Sequence, residues 1–383
     1  MATDETLRTS IENSFVATGV QTSKKLGGLW YKSAWDLIAD LLSLRPGDNV
    51  FFWLYQRKYT GVVGIFEVTG KFPFFHNCDI GGVSGKNYPF RVCIKPRKLY
   101  DYIALDDLLL ADANYLPWVS ALSAKKALGA FGGRGRSSTP LPPWGVEAVA
   151  SALEEAGSMA RWYGDDLKIN FPKKTSGYPF DGSERQITVD TSIRLFPAQP
   201  PSYPGDIDLD FLPAVTPEGK FTVEKALEAW LMENVDRPLT RSVFLEDPRR
   251  ILWFANYFPC SVSGVNIDAV VLYESSDGGV RLLVVELKKD SVELGIDKAV
   301  EQVVRYVNVA TRLLLPPISR SYGADVKVEA AICGFASSTC LSRYTQKMVQ
   351  RFEGIMRVPL RVVGYEIDAQ SSTVHLKALH SGD

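Results

Sequence analysis

Glu286 and Lys288 stand two residues apart in an otherwise apolar run, Val284-Val285-Glu286-Leu287-Lys288. In an extended chain successive side chains point to opposite faces, so this carboxylate and this ammonium share one face. Burying them without partners would be costly. A divalent cation beside Glu286 and a substrate phosphate beside Lys288 would remove that cost. Asp268 interrupts a second apolar run, residues 265–273, and two neighbouring strands would bring it to Glu286. Carboxylate oxygens grouped in this way are the donors that Mg²⁺ prefers. The chemistry they would serve is phosphodiester hydrolysis.

Elements on either side must position this set. Thr222 is a good N-cap for a helix running to Asn234, whose residues Val223, Ala226, Leu227, Trp230 and Leu231 define an apolar face. At about 100° per residue Glu224 falls on the edge of that face, and Glu228 lies further toward solvent. Glu224 is therefore the helical carboxylate expected to reach a site over the sheet, although acidic residues also favour helix starts through the dipole alone. A hairpin follows, 265–273 and 280–288 about the turn Asp277-Gly278-Gly279. A long helix over 296–314, a strand over 326–334, a helix over 344–354, a strand over 360–367 and a final run near Val374 complete a mixed α/β sandwich pattern.

Asp268 followed by Glu286-Leu287-Lys288 resembles the PD-(D/E)xK nuclease superfamily, in which an Asp on one strand and a Glu-x-Lys on the next hold the metal and the attacking water. Gln302-Val303-Val304-Arg305-Tyr306 looks like the Gln-x-x-x-Tyr motif of its RecB-like branch. Gln302 and Tyr306 are one turn apart and are expected off the apolar stripe of Val300, Val303, Val304 and Val307. The surroundings from Asn256-Tyr257 to Asp268 also look like archaeal mismatch endonucleases of the NucS type. The resemblance covers roughly Val223 to Ala310, and the Pro that precedes the family's Asp is absent. It implies that Asp268, Glu286 and the Leu287 carbonyl hold Mg²⁺ (or Mn²⁺), with Glu224 completing the shell. Lys288 would position or deprotonate the water and stabilise the transition state. A lone Glu-x-Lys on a strand is more often an ion-pairing edge, and Gln302 and Tyr306 alone could be a solvated helix face. The order of all these motifs is what points to catalysis.

The amino-terminal part is organised differently. A capping box from Ser33 to Asp36 precedes a short helix with apolar residues Leu37, Ile38, Leu41 and Leu42, and Arg45-Pro46-Gly47-Asp48 forces a turn. Runs over 50–55 and 61–68 read as a hairpin, 88–95 as a further strand, and 146–163 as a closing helix. Gly27-Gly28-Leu29-Trp30, the turn, the hairpin end Gly64-Ile65-Phe66-Glu67-Val68 and Tyr88-Pro89-Phe90-Arg91-Val92 together look like an EVE domain, a relative of the YTH and PUA-like folds. The resemblance implies a small β-barrel that takes a flipped, modified base into an aromatic cage, where stacking holds any base and the walls read the modification. Trp30 matches the family's cage tryptophan, and Trp53 and Trp35 are candidates for further walls. Core packing is the other fate open to these tryptophans. Arg91, Arg134 and Arg136 are the basic residues expected to grip a DNA backbone.

Composition bounds these expectations. The chain has 383 residues, a formal net charge of -1, 46% hydrophobic and 23% charged residues, which is a globular balance with no overall electrostatic pull toward nucleic acid. Any DNA-binding surface must be a local patch. Its five cysteines are never spaced as C-x-x-C, which argues against a disulfide framework or a structural zinc, and three histidines are too few for a histidine-rich metal site. No apolar signal core or membrane span is legible, so a cytoplasmic protein is expected. The expected organisation is a base-reading domain over 10–165, a Pro- and Gly-rich linker over 166–219 and a nuclease domain over 220–383. The fold class is α/β and α+β: an amino-terminal PUA-like β-barrel with flanking helices, then a restriction-endonuclease-like mixed sheet flanked by helices. Together these imply a restriction endonuclease that cleaves DNA carrying a modified base, as a monomer or a homodimer. Repair of mismatches or lesions, non-catalytic binding of modified nucleic acid, and RNA as the ligand are the alternatives.

Overall fold

The computed structural model describes residues 10, 15–20, 35–56, 59–70, 87–100, 104–105, 140–155, 159–160, 168–170, 188–190, 214–259, 266–323, 325–336, 341–368, 370–371 and 373–380. The chain forms two units, Met1–Gly27 with Leu44–Leu209, and Gly28–Ser43 with Asp210–Asp383. The described elements begin with β1 (Phe15–Val20), α1 (Trp35–Leu42), β2 (Asn49–Gln56), β3 (Tyr59–Val68), β4 (Asn87–Tyr100), β5 (Ala104–Leu105), α2 (Pro143–Glu155), β6 (Met159–Ala160), β7 (Lys168–Asn170) and β8 (Thr188–Asp190). All of these except α1 belong to the first unit.

In the first unit the strands form an antiparallel sheet in the order β1-β4-β3-β2, with β5 added to β3 and β6 to β4. Alternating residues Phe66 and Val68 on β3, and Val92 and Ile94 on β4, are buried. The Phe52 and Phe66 rings meet edge to face at 4.9 Å. Gly47 adopts a φ of 93°, which only glycine takes without strain, and its N–H donates to the Val68 carbonyl at 2.9 Å. A barrel closes only when its first and last strands pair. Among the described residues β1 and β2 stand at opposite edges and do not pair, so the expected barrel is corrected to an open sheet. β7 and β8, within the stretch read as linker, pair as a separate ribbon.

The second unit continues with α3 (Glu224–Asn234), α4 (Pro238–Phe244), β9 (Pro248–Pro259), β10 (Asn266–Ser275), β11 (Val280–Ser291), α5 (Val292–Val309), a π-turn (Ala310–Leu314), α6 (Leu315–Tyr322), β12 (Val326–Phe335), α7 (Arg343–Met356), β13 (Leu360–Asp368) and β14 (Thr373–His380). The strands form one mixed sheet in the order β14-β13-β12-β11-β10-β9. β9, β10 and β11 run antiparallel, β11, β12 and β13 parallel, and β14 antiparallel to β13. β10 and β11 are buried almost throughout, the burial expected of strands covered on both faces. Parallel neighbours need crossovers, and α5 and α7 supply them. β9 was not anticipated: its apolar run Ile251-Leu252-Trp253-Phe254 is short, and periodicity cannot tell such a run from a helical segment.

α3 is set onto the sheet by the hairpin before it. Thr222 donates its N–H to the Ala214 carbonyl at 2.7 Å, which keeps it in that hairpin. The N-cap is therefore Val223, with no side-chain cap, and not the expected Thr222. At the hairpin turn Gly219 has a φ of 74°, and Ile367 donates its N–H to the Gly219 carbonyl at 2.9 Å. A Cβ there would meet the Ile367 carbonyl oxygen at 2.3 Å.

A charged network ties the sheet together away from the hairpin. Glu329 on β12 accepts from Arg361 at 2.6 Å, Tyr273 at 2.8 Å and Arg281 at 2.8 Å. Burial alone would push the Glu329 carboxyl up, yet Arg361, Arg281 and Tyr273 hold it below the ordinary carboxylate range.

Gly219→Ala combines the left-handed penalty with a backbone clash, so it is expected to destabilise the protein by more than about 2 kcal/mol. A urea melt of the full chain followed by circular dichroism reads this; an unchanged midpoint would mean that the turn is not pinned to β13.

Candidate active site

The ladder between β10 and β11 runs as far as Ala269 opposite Val285. One residue further a side chain takes over from the ladder: Asp268 Oδ2 accepts the Leu287 N–H at 2.9 Å. This bond joins the Asp268 strand to the Glu-Leu-Lys strand directly. Asp268 is only 9% exposed and Glu286 is 0% exposed. Lys288 donates through Nζ to Glu286 Oε1, as two residues on one face of a strand can. Glu286 Oε2 has no hydrogen-bond partner among the described residues. A buried carboxylate oxygen left unpaired carries a desolvation penalty.

Electrostatics follow the same lines. Burial pushes the Asp268 carboxyl well above the ordinary range; the negative charges of Glu286 and Glu228 add to this, and the Leu287 N–H opposes it. Glu224, half-buried at the start of α3, is raised by burial and by Glu286, against the pull of Lys288. Burial alone would lower Lys288, but its hydrogen bond to Glu286 and the charges of Glu286, Glu224 and Asp268 raise it. Lys288 is thus an ammonium at neutral pH in the ligand-free chain.

The sequence reading placed Glu228 toward solvent, and the structure corrects this. Glu228 is 2% exposed. α3 packs on the sheet and also against α1, so Ala226, Leu227, Ala229, Leu231 and Met232 are buried around most of its circumference. A single-face pattern does not describe a helix covered on two sides. Glu228 Oε1 accepts from Asn256 Nδ2 at 2.7 Å, and Oε2 pairs with Lys225, whose Nζ also lies 3.9 Å from the centre of the Tyr257 ring. Asn256 Nδ2 donates a second bond, at 3.1 Å, to Asp40 Oδ1 of α1. Glu228, Asn256 and Asp40 were all missed. A polar residue in the apolar helix of residues 35–42 was the signal available for Asp40.

The remaining candidates fall elsewhere. Tyr306 was expected off the apolar stripe of α5, but it is buried with Val303, Val307 and Ala310. These positions follow the i, i+3, i+4, i+7 pattern, so the stripe is centred one step further round than expected. Gln302 is half-exposed. Trp35 is 1% exposed on α1, within the second unit, and so has no open face to offer a base; the structure corrects it to a core residue. Trp53 lies on β2 opposite Val62, and Arg91 on β4 opposite Ala17. Trp30, Arg134 and Arg136 lie outside the described residues.

Among the described residues no three His, Cys, Asp or Glu side chains are grouped so that they could hold a metal ion. The donors nonetheless fit a hard divalent cation: they are carboxylate oxygens, desolvated, mutually repelling, with one acceptor of Glu286 unfilled. Among the described residues no helix is long and apolar enough to cross a membrane.

No family model and no curated protein matches the chain. A solved structure described as "Structure of EndoMS in apo form" is similar at 19% sequence identity and a TM-score of 0.22, over 37% of this chain and 46% of that one. The present chain thus spans just under half of that protein's length. The site's geometry, not this likeness, carries the functional reading below.

A carboxyl with a raised folded-state pKa stabilises the fold below its unfolded value, and this contribution is lost as pH rises through the folded value. Without metal, Asp268→Asn is therefore expected to raise the melting temperature at pH 7. The gain should vanish as the pH falls below the ordinary aspartate value of 3.8. Thermal melts in a chelator from pH 3.5 to 8, approximate bounds set around that value, measure it; a variant less stable at every pH would show that Asp268 is a structural anchor only.

Proposed function

We propose that this chain is a metal-dependent endonuclease that hydrolyses phosphodiester bonds in DNA. The observation that carries this reading is the buried Glu286, one oxygen on Lys288 and the other unfilled, beside the desolvated Asp268. Mg²⁺ or Mn²⁺ held by Asp268, Glu286, the Leu287 carbonyl and Glu224 would supply charge neutralisation at the phosphate and acidify the attacking water. Asp268 keeps its place through the Leu287 N–H, so its other oxygen is free of that bond and can face a ligand. Lys288, an ammonium, is suited to hold a non-bridging phosphate oxygen and to stabilise charge as it develops. A proton-accepting role would require it to lose the charge that its carboxylate neighbours favour.

The amino-terminal unit is proposed to capture a modified base, on the strength of the Gly27-to-Val92 motifs and the Trp30 they match. The protein would then be a modification-dependent restriction enzyme, cutting near the base it has captured. Two nuclease sites are needed to cut both strands at one place, which makes a homodimer the proposed cutting form.

The test is cleavage of modified, unmodified and mismatched duplexes, and of a modified RNA, with Mg²⁺ and with chelator. Cleavage of modified DNA is expected only with metal. Glu286→Gln should abolish it while binding survives, and Lys288→Ala should slow it by about 10²–10³-fold. Trp30→Ala should weaken binding to modified DNA and leave unmodified DNA unaffected. Selective cutting of the mismatched duplex would replace the restriction reading with repair, and cleavage by the Glu286 variant would remove the site altogether.

A further inference from the structure

A chain with a formal net charge of -1 has no overall pull on nucleic acid, so a nuclease of this composition needs a local cationic surface. The second unit carries one on α7. That helix buries Thr345, Val349 and Phe352 and leaves Arg343, Lys347 and Arg351 exposed. Spaced four residues apart, the three cations form one row along the helix, with about 6 Å of rise between neighbours. Among the described residues none of the three takes part in an ion pair. Glu353 is the one acid within α7, and it is half-buried with Oε1 accepting the Leu360 N–H at 3.0 Å.

Helix stability does not account for this row. Like charges four residues apart on a helix repel each other. Helices also favour acids in the first turn and bases in the last, and α7 has neither; its first residue is Arg343. The buried face and the Ser342 cap, whose hydroxyl accepts the Thr345 N–H at 3.2 Å, hold the helix instead.

The row begins at the end of the sheet that carries the candidate site. β12 runs parallel to β11, with Leu287 opposite Cys333 and Ser291 opposite Phe335, so β12 ends level with the residues that follow Lys288. α7 returns from that end to the start of β13, where Leu360 pairs with Ala330. Successive right-handed crossovers along β11-β12-β13 lie on one face of a sheet, and α5 and α7 pack together accordingly. α5 shows which face this is. A Cβ on Gly295, in its first turn, would lie 4.0 Å from Lys288 Cδ. The two helices are also tied at this end, because the Tyr344 hydroxyl lies 2.8 Å from both carboxylate oxygens of Asp297 on α5. Arg343 thus stands on the face and at the end of the sheet where Lys288 emerges, and Lys347 and Arg351 lead away from it.

We propose that Arg343, Lys347 and Arg351 grip the phosphate backbone of the DNA beside the bond to be cut. The inference rests on the nuclease reading above and names the surface that holds its substrate. A line of phosphates relieves the repulsion within the row, and release of the counterions condensed on DNA supplies affinity. Such contacts orient a duplex without reading its sequence.

The experiment is anisotropy titration of the full-length chain with a fluorescent, unmodified DNA duplex in chelator, over a series of KCl concentrations. Arg343→Ala, Lys347→Ala and Arg351→Ala should each lower the slope of log affinity against log salt by about 0.9, and the triple variant by about 2.7. Arg351→Lys, which keeps the charge, should keep the slope. Lys327→Ala, which removes an exposed cation from the opposite end of β12, should leave it unchanged. A triple variant with the wild-type slope would overturn the surface, as would a Lys327→Ala loss equal to those on α7. Mg²⁺-dependent cleavage by the same proteins separates the two ideas. If the wild type does not bind the duplex, the nuclease reading and the surface fall together. If the wild type cleaves DNA and the triple variant keeps its slope, only the surface falls. A lowered slope in a chain that cleaves no duplex supports the surface and removes the nuclease reading.

Discussion

Buried negative charge without enough positive charge beside it is the constraint around which the second unit is built. The same sheet provides its own control. Glu329 is as buried as Glu286, but Arg281, Arg361 and Tyr273 satisfy both of its oxygens and its carboxyl is held low. At the hairpin of β10 and β11 the balance reverses. Among the described residues the ammonium groups of Lys288 and Lys225 are paired with Glu286 and Glu228, the Asp268 carboxyl is forced up, and one oxygen of Glu286 is unfilled. A network that serves stability closes on itself; the one at Asp268 and Glu286 does not, and under the proposed function a cation would close it.

That shortage explains why the surrounding architecture is so heavily covered. Carboxylates repel each other strongly only where water is excluded, and water is excluded because β10 and β11 are interior strands with α3 and the crossover α5 packed on them. The backbone contributes directly as well. Spending the Leu287 N–H on Asp268 fixes the relation of the two strands at the very residues that carry the acids. A strand slip of one residue would send Glu286 and Lys288 to the opposite face and end the arrangement.

Much of this was legible in the sequence, for identifiable reasons. Alternation along a strand is a strict rule, so Glu286 and Lys288 had to share a face; the short turn between two apolar runs put Asp268 on the neighbouring strand, and the later strands were legible as further apolar runs. Helical faces were less legible. Glu228 was misplaced because α3 is covered by the sheet and by α1 together, and Tyr306 because valines on two sides of α5 blur the centre of its stripe. β9 escaped because its apolar run is too short for periodicity to tell strand from helix. Asp40 and Asn256 lay beyond reach, since their relation to Glu228 exists only once a segment from near residue 40 packs against a helix near residue 228. In the amino-terminal unit the hairpin and Tyr88 strand were found, but closure of a barrel depends on pairing between strands distant in sequence, which local patterns do not encode.

The discontinuity of the second unit has a physical consequence for how it assembles. α1 and α3 are separated by some 180 residues along the chain, and the contact between them closes a very long loop. Closure entropy grows only logarithmically with length, so the equilibrium penalty for this arrangement is modest. Contacts of such high sequence separation slow folding, however. The burial of Glu228 is thus a property of the completed unit, α1 included, and not of its central hairpin alone.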